Sequence, residues 1–332
     1  MALLLRAGAT VNVETTNGGT PLMGAAYGTR KWPPVKTADD QPVRDPALAP
    51  DYLKIAELML AGGADVQARD REGKTALHYA ATSGNVEVLE LLLSKGAEVD
   101  AKDTRYRRTP LHKAAYSADV KTVAALLNKG ADISARDAEG LQAIHAAAKR
   151  NDPAVLNFLL EKGAAVTAAE SHGGTPLHCA AIESKPKAAR VLLEHGAPPA
   201  ALDQYKKSPL HFAALLGSVE IVRLLLDHRV PVNGADFQGD TPLHVAAMVR
   251  VGQNDLKATP EQPAATVNSS MAYINKSQPA DKLKIVKLLL AKGAKPNVKN
   301  QEGATPIDVA AKYGTPEILA ALKGQQSPPP GK

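Results

Sequence analysis

Residues 175–197 read TPLHCAAIESKPKAARVLLEHGA, and this stretch decides the fold. Thr175 offers a side-chain oxygen to cap a helix, and Pro176 fits the first helical position, where no backbone donor is lost. Leu177, Ala180 and Ala181 give that short helix a narrow apolar side, which lets a neighbour approach closely. The companion helix is clearest at Val86–Leu93 (VEVLELLL), apolar at helical spacing. Gly96 then supplies the left-handed residue that ends it. No such pair buries enough surface alone, so its stability must come from stacking on neighbours.

Working outward, the opening phrase recurs, strictly or loosely, at Thr20, Thr75, Thr109, Gln142, Thr175, Ser208, Thr241 and Thr305. The separations are 55, 34, 33, 33, 33, 33 and 64 residues, so a 33-residue unit dominates. The closing glycine stands at Gly8, Gly63, Gly96, Gly130, Gly163, Gly196 and Gly293, with Arg229 in its place once. From closing glycine to the next phrase is 12 residues, or 13 between Gly96 and Thr109. From phrase to closing glycine is 21, but 43 after Thr20 and 52 after Thr241. The two excesses therefore fall between paired helices, and the single extra residue falls in a connecting hairpin.

The sequence T-P-L-H-x-A-A followed by L-L-L-x-x-G-A-D-V-N-A, at 33 residues, resembles the ankyrin repeat. The resemblance spans 1–324 apart from two insertions. It implies an all-α repeat fold, an ankyrin solenoid of stacked helix-turn-helix units joined by β-hairpin-like loops. Residues 1–12 (MALLLRAGATVN) read as a truncated half-repeat, which implies that the front of the array lies upstream. The insertions, about 29–50 and 250–280, are proline-bearing and are expected to be loops on one edge. The alternative is added contact surface anchored by Trp32 or by Met271 to Tyr273. Residues 303–324 read as a C-terminal cap with Asp308 in the histidine position, and 325–332 (QQSPPPGK) as a disordered tail. Two departures predict weak points of roughly 1 kcal/mol each: Gln142 with Ala143 in place of Thr-Pro, and Arg229 in place of glycine.

The totals agree with a folded, water-soluble chain: 332 residues, 44% hydrophobic, 22% charged, 4% aromatic and a formal charge of +6. No apolar run approaches the ~20 residues that span a bilayer. The single cysteine, Cys179, excludes an intrachain disulfide framework and a multi-cysteine metal site. It holds the position of Tyr79, Phe212 and Val245 in other units and is expected to be buried and inert. His78, His112, His145, His178, His211 and His244 share one register. Equivalent points on stacked helices lie roughly 8–10 Å apart, whereas zinc ligands stand about 2 Å from the metal. These histidines are therefore read as structural, each bonded to hairpin backbone. His172-Gly173-Gly174 and Asn17-Gly18-Gly19 are turns before the repeat phrase, not phosphate loops. No catalytic, cofactor or metal constellation is found, and the chain is read as a non-enzyme.

The family resemblance implies that a partner meets the hairpin tips and the exposed side of the first helices, the concave face. The two residues after each A-A occupy that side: Thr82-Ser83, Tyr116-Ser117, Lys149-Arg150, Ile182-Glu183, Leu215-Leu216 and Met248-Val249. The tips add Arg69, Arg71 and Lys74, then Lys102, Arg105, Tyr106, Arg107 and Arg108, then Tyr205, Lys206 and Lys207, then Phe237. The candidate partner-binding residues are Arg71, Lys74, Arg105, Tyr106, Arg107, Tyr116, Lys149, Arg150, Ile182, Tyr205, Leu215, Leu216, Phe237 and Met248. Apolar residues there would supply affinity, and basic tips orientation and on-rate. The expected function is a protein-binding scaffold, monomeric and cytoplasmic. The rival readings are the targeting portion of a larger enzyme or effector, and a weaker one, nucleic-acid binding through the basic tips.

Overall fold

The structure, a computed structural model, describes residues 10–28, 51–117, 120–249 and 278–324. The first insertion, most of the second, residues 1–9 of the half-repeat and the tail 325–332 lie outside the described residues, as do Trp32 and Met271 to Tyr273.

Among the described residues there are sixteen helices and no strand. The chain divides into two compact units, Met1–Ala165 and Val166–Lys332. The first holds α1 (Pro21–Tyr27), α2 (Tyr52–Ala61), α3 (Ala76–Ser83), α4 (Val86–Ser94), α5 (Pro110–Ser117), α6 (Val120–Asn128), α7 (Ala143–Ala148) and α8 (Ala154–Glu161). The second holds α9 (Pro176–Ile182), α10 (Pro186–Glu194), α11 (Pro209–Leu216), α12 (Val219–Asp227), α13 (Pro242–Ala247), α14 (Pro279–Ala291), α15 (Pro306–Tyr313) and α16 (Pro316–Lys323). Within each unit odd-numbered helices pack on odd, and even-numbered on even, while each pair packs internally. Each unit is thus a stack of ankyrin repeats. The interior is Leu77, Leu89, Leu92, Leu111 and Leu126 in the first unit and Leu177, Leu192, Leu210 and Leu225 in the second, all fully buried. Small residues such as Ala80, Ala81, Ala180 and Ala181 let the first helices close on one another.

The histidine of five phrases does two jobs. The Thr175 N–H and hydroxyl both donate to His178 Nδ1, at 3.1 and 2.9 Å. A backbone N–H can only donate, so Nδ1 is unprotonated and Nε2 carries the proton. Nε2 then donates to the Lys207 carbonyl of the next hairpin at 3.1 Å. His78, His112, His211 and His244 repeat this, reaching the carbonyls of Arg108, Leu141, Asp240 and Ala304. The histidine thereby ties one repeat to the next hairpin, as the sequence reading expected, and also caps its own helix, which that reading did not include. Asp308 supplies the near arm in its own phrase, accepting from Thr305 N–H and hydroxyl at 2.9 and 2.7 Å.

The departures have specific consequences. Arg229 sits at φ 55°, where Gly63, Gly96, Gly130, Gly163, Gly196 and Gly293 also take positive φ. A side chain there costs roughly 1 kcal/mol that glycine avoids. At Gln142 the weakness is partial, because its N–H still donates to His145 Nδ1 at 3.0 Å. The second insertion ends earlier than 280: α14 begins at Pro279 and runs 13 residues, against 9 for its counterparts α4, α10 and α12. Proline at its first position adds the extra turn without losing a hydrogen bond. Cys179 is buried, as expected.

Candidate interaction surface

From Asp70 onward each connecting loop is organised by one acidic or amide side chain; in the first loop the Thr15 hydroxyl accepts from Gly19 N–H at 3.0 Å. Asp70 Oδ1 accepts from the N–H groups of Glu72 and Lys74, and Asp103 Oδ1 from those of Tyr106 and Arg108. Asp137, Asp203, Asp236 and Asn300 do the same at their tips, and Glu170 does so with both oxygens. Successive tips are then linked through backbone. Arg71 N–H donates to Asn17 carbonyl, Thr104 to Glu72 and Ala138 to Tyr106 in the first unit. Gln204 donates to His172, Phe237 to Tyr205 and Gln301 to Gln238 in the second. The tips form an ordered edge in each unit, and their side chains stand at fixed spacing.

The second oxygen of these buried carboxylates recruits a cation. Lys113 Nζ lies 3.1 Å from Asp103 Oδ2, Arg108 Nε 3.0 Å from Asp137 Oδ2, and Lys207 Nζ 3.7 Å from Asp236 Oδ2. Burial pushes Asp103 up, but the N–H bonds from Tyr106 and Arg108 and the Lys113 ammonium outweigh it, so it stays below the usual carboxylate range. Arg108 and Lys207, read in sequence among the partner-facing tip residues, are therefore part of the tip framework. Lys113 was missed altogether; its place directly after His112 gave no signal that it turns back to the preceding tip carboxylate.

The remaining basic candidates differ in freedom. Lys74 pairs with Glu72 and lies 6.0 Å from the Tyr79 ring centroid. Arg105 lies 3.6 Å from Glu72. Its guanidinium and that of Arg108 stand 5.0 and 4.6 Å from the Tyr106 ring centroid. Arg71 and Arg107 are exposed and have no ion pair among the described residues. Tyr116 is 57% exposed with the partly buried Arg150 guanidinium 5.6 Å from its ring, and Lys149 beside it is also partly buried. In the second unit Phe237 is 47% exposed under the Lys206 ammonium at 4.9 Å. Tyr205 stacks on His172 at 6.5 Å and is partly buried.

The apolar candidates require correction. Ile182, Leu215, Leu216 and Met248 are partly buried, not fully exposed. Val249, expected at the surface, is only 4% exposed, and its N–H donates to the Tyr313 carbonyl at 3.0 Å. Beyond Ala247 the chain turns to an extended conformation at Met248, so Val249 crosses onto the next repeat instead of continuing the helix.

Sequence reasoning also passed over Lys282, whose side chain is 0% exposed. Its Nζ donates to the carbonyls of Ala214 and Val245, each at 3.0 Å. Both carbonyls belong to last turns, of α11 and α13, where the helix leaves acceptors unpaired. Burial lowers the Lys282 pKa from 10.5 to about 7. No helix among the described residues is long and apolar enough to cross a membrane.

Comparison with known proteins follows the same lines. A family model described as "Ankyrin repeats (3 copies)" matches residues 47–137 and 134–203, and "Ankyrin repeats (many copies)" matches 192–246. No curated protein matches the sequence. The chain is similar to the crystal structure of the ankyrin repeat domain of Bcl-3, described as a unique member of the IkappaB protein family. That match has 28% identity and a TM-score of 0.56, covering 76% of this chain and all (100%) of that one. It is similar in fold to the human ASB11 ankyrin repeat domain, at 24% identity and a TM-score of 0.62, covering 77% of this chain and 100% of that one. Repeat phrase, histidine ties, tip ladder and family matches agree: the chain belongs to the ankyrin repeat family.

Proposed function

We propose that this chain is a non-catalytic scaffold that holds a protein partner on its hairpin tips and the solvent side of its first helices. One observation carries this reading. The exposed large hydrophobic residues among those described are Val13, Tyr27, Tyr116, Leu202 and Phe237. All of them lie in first helices or connecting loops, and none in the second helices. Solvent-facing positions of the second helices instead carry charge, as at Glu87, Glu90, Arg190, Glu194 and Arg223. In each unit the exposed large apolar side chains thus lie on the tips and first helices, where they can act as anchor residues of an interface. The partly buried Leu215, Leu216 and Met248 would extend the apolar contact once a partner covers them.

Affinity capture with the intact chain, followed by binding of the captured protein to variants, tests the reading. Tyr116→Ala and Phe237→Ala both truncate exposed rings, so the fold should keep its melting temperature. Their combination should weaken binding by about 2 kcal/mol, some 30-fold. Unchanged affinity in the double variant, with loss in Glu90→Lys, would move the interface to the second helices and end the proposal.

A further inference from the structure

We infer that the tips of the first unit receive an acidic segment of a protein partner, with Arg107 as a direct contact; this deepens the scaffold reading and rests on it. At the penultimate position of each tip the chain takes a left-handed conformation: Gly18, Gly73, Gly140, Gly173, Gly239 and Gly303 lie at φ between 72° and 82°. Arg107 occupies the same place at φ 55°, and Lys206 does so at φ 57° in the second unit, where its ammonium lies over the Phe237 ring. The turn itself does not require arginine, because the hydrogen bonds that shape it come from backbone. Arg107 N–H donates to the Asp103 carbonyl at 3.1 Å, as Gly73 N–H does to Asp70 at 2.9 Å. A side chain is held there against a conformational cost that glycine would avoid, and it makes no ion pair among the described residues.

The surroundings give the chemistry. Residues 102–108 hold four basic side chains, Lys102, Arg105, Arg107 and Arg108, against one acid, Asp103, which is already occupied by Lys113. The Tyr106 ring lies against the guanidinium groups of Arg105 and Arg108; Asp137 already engages Arg108, so the planar donors of Arg105 are the ones that match a further carboxylate. Arg71 stands on the preceding tip, which is bonded to this one through the Thr104 N–H and Glu72 carbonyl at 2.8 Å. Glu72 and Glu98 interrupt this positive edge. A chain of evenly spaced phosphates would meet these acids repeatedly, whereas a peptide can place carboxylates only at the arginines. The geometry therefore favours an acidic peptide over a nucleic acid.

Arg107→Gly separates a binding role from a structural one, because the two predict different combinations of effects. It removes the strain, so the melting temperature should rise. It also removes the contact, so affinity for a labelled oligoglutamate peptide, measured by fluorescence anisotropy with the full chain, should fall about 5-fold or more. Arg107→Lys keeps the charge and should retain most of the binding. An oligothymidylate of equal charge should bind more weakly than the peptide, and an oligolysine not at all. Lack of oligoglutamate binding, equal affinity in Arg107→Gly, or tighter binding of the oligothymidylate would each overturn the inference. The scaffold proposal would survive any of these if the captured protein still lost affinity in the Tyr116 and Phe237 variants.

Discussion

Acidification from pH 6.5 to 4 should remove roughly 3 kcal/mol of stability from each half of the chain through a single histidine in each. Burial lowers the pKa of His78 and of His178 from 6.5 to about 4. The cause is geometric as well as dielectric. Nδ1 accepts the cap N–H in both residues, so a proton placed there would break the cap that starts the helix. The sign follows from linkage. Between pH 4 and 6.5 the unfolded chain binds more protons than the folded one, so stability falls as pH falls through that window. A difference of about 2.5 pH units at about 1.4 kcal/mol per unit gives the magnitude. Burial also lowers His112 and His211, one in each unit, which adds to the effect. Urea denaturation at pH 7 and pH 4.5 should show the loss, and His178→Gln should flatten it in the second unit. Equal stability at the two pH values would mean that these imidazoles are hydrated and free to charge.

Raising the pH should act through Lys282 in the second unit, and with a comparable magnitude. Its amine faces two carbonyls and no solvent. A neutral amine has two N–H donors, which Ala214 and Val245 satisfy; the ammonium brings a third that needs an acceptor. With a folded pKa of about 7 against 10.5 in the unfolded chain, the unfolded state again binds more protons, now between pH 7 and 10.5. Stability should therefore rise with pH across that window by about 1.4 kcal/mol per unit, approaching ~5 kcal/mol over the whole range. Between pH 7.5 and 9.5 wild-type protein should gain about 3 kcal/mol. Lys282→Met should lose this dependence, while exposing the two helix ends to the cost of unpaired carbonyls. A slope that persists unchanged in Lys282→Met would assign the titration elsewhere.

Much of the fold was legible because its determinants are local and repeated. Thr-Pro-Leu-His sets a cap, a first turn and a tie to the next hairpin within four residues, and six copies of the histidine made its role plain. Arg229 was legible for the same reason: glycine in the other closing positions shows what its backbone must do. Lys282 was not, because its role depends on an added turn of α14 that moves a lysine from a helix boundary into the packed interior. Nothing in DKLKIVKLLL marks its second residue as inward-facing. Val249 was misplaced for a related reason, since the repeat pattern assumes that the first helix continues past Ala247, and here it stops. At the tips, composition revealed the positive charge but not its division into cations that hold buried carboxylates, such as Lys113 and Lys207, and cations with no ion pair among the described residues, such as Arg71 and Arg107. That division follows from which cations reach the second oxygen, Oδ2, that the backbone leaves open at Asp103, Asp137 and Asp236.

The hairpin tips and first helices are the proposed working surface. Hydrogen–deuterium exchange of the intact chain, alone and saturated with its captured partner, tests this most directly. Protection should concentrate in the loops around Asp70, Asp103, Asp203 and Asp236 and at the ends of the first helices near Tyr116 and Leu215. Protection confined to the second helices around Glu90, Arg190 and Arg223, with the loops unchanged, would contradict it.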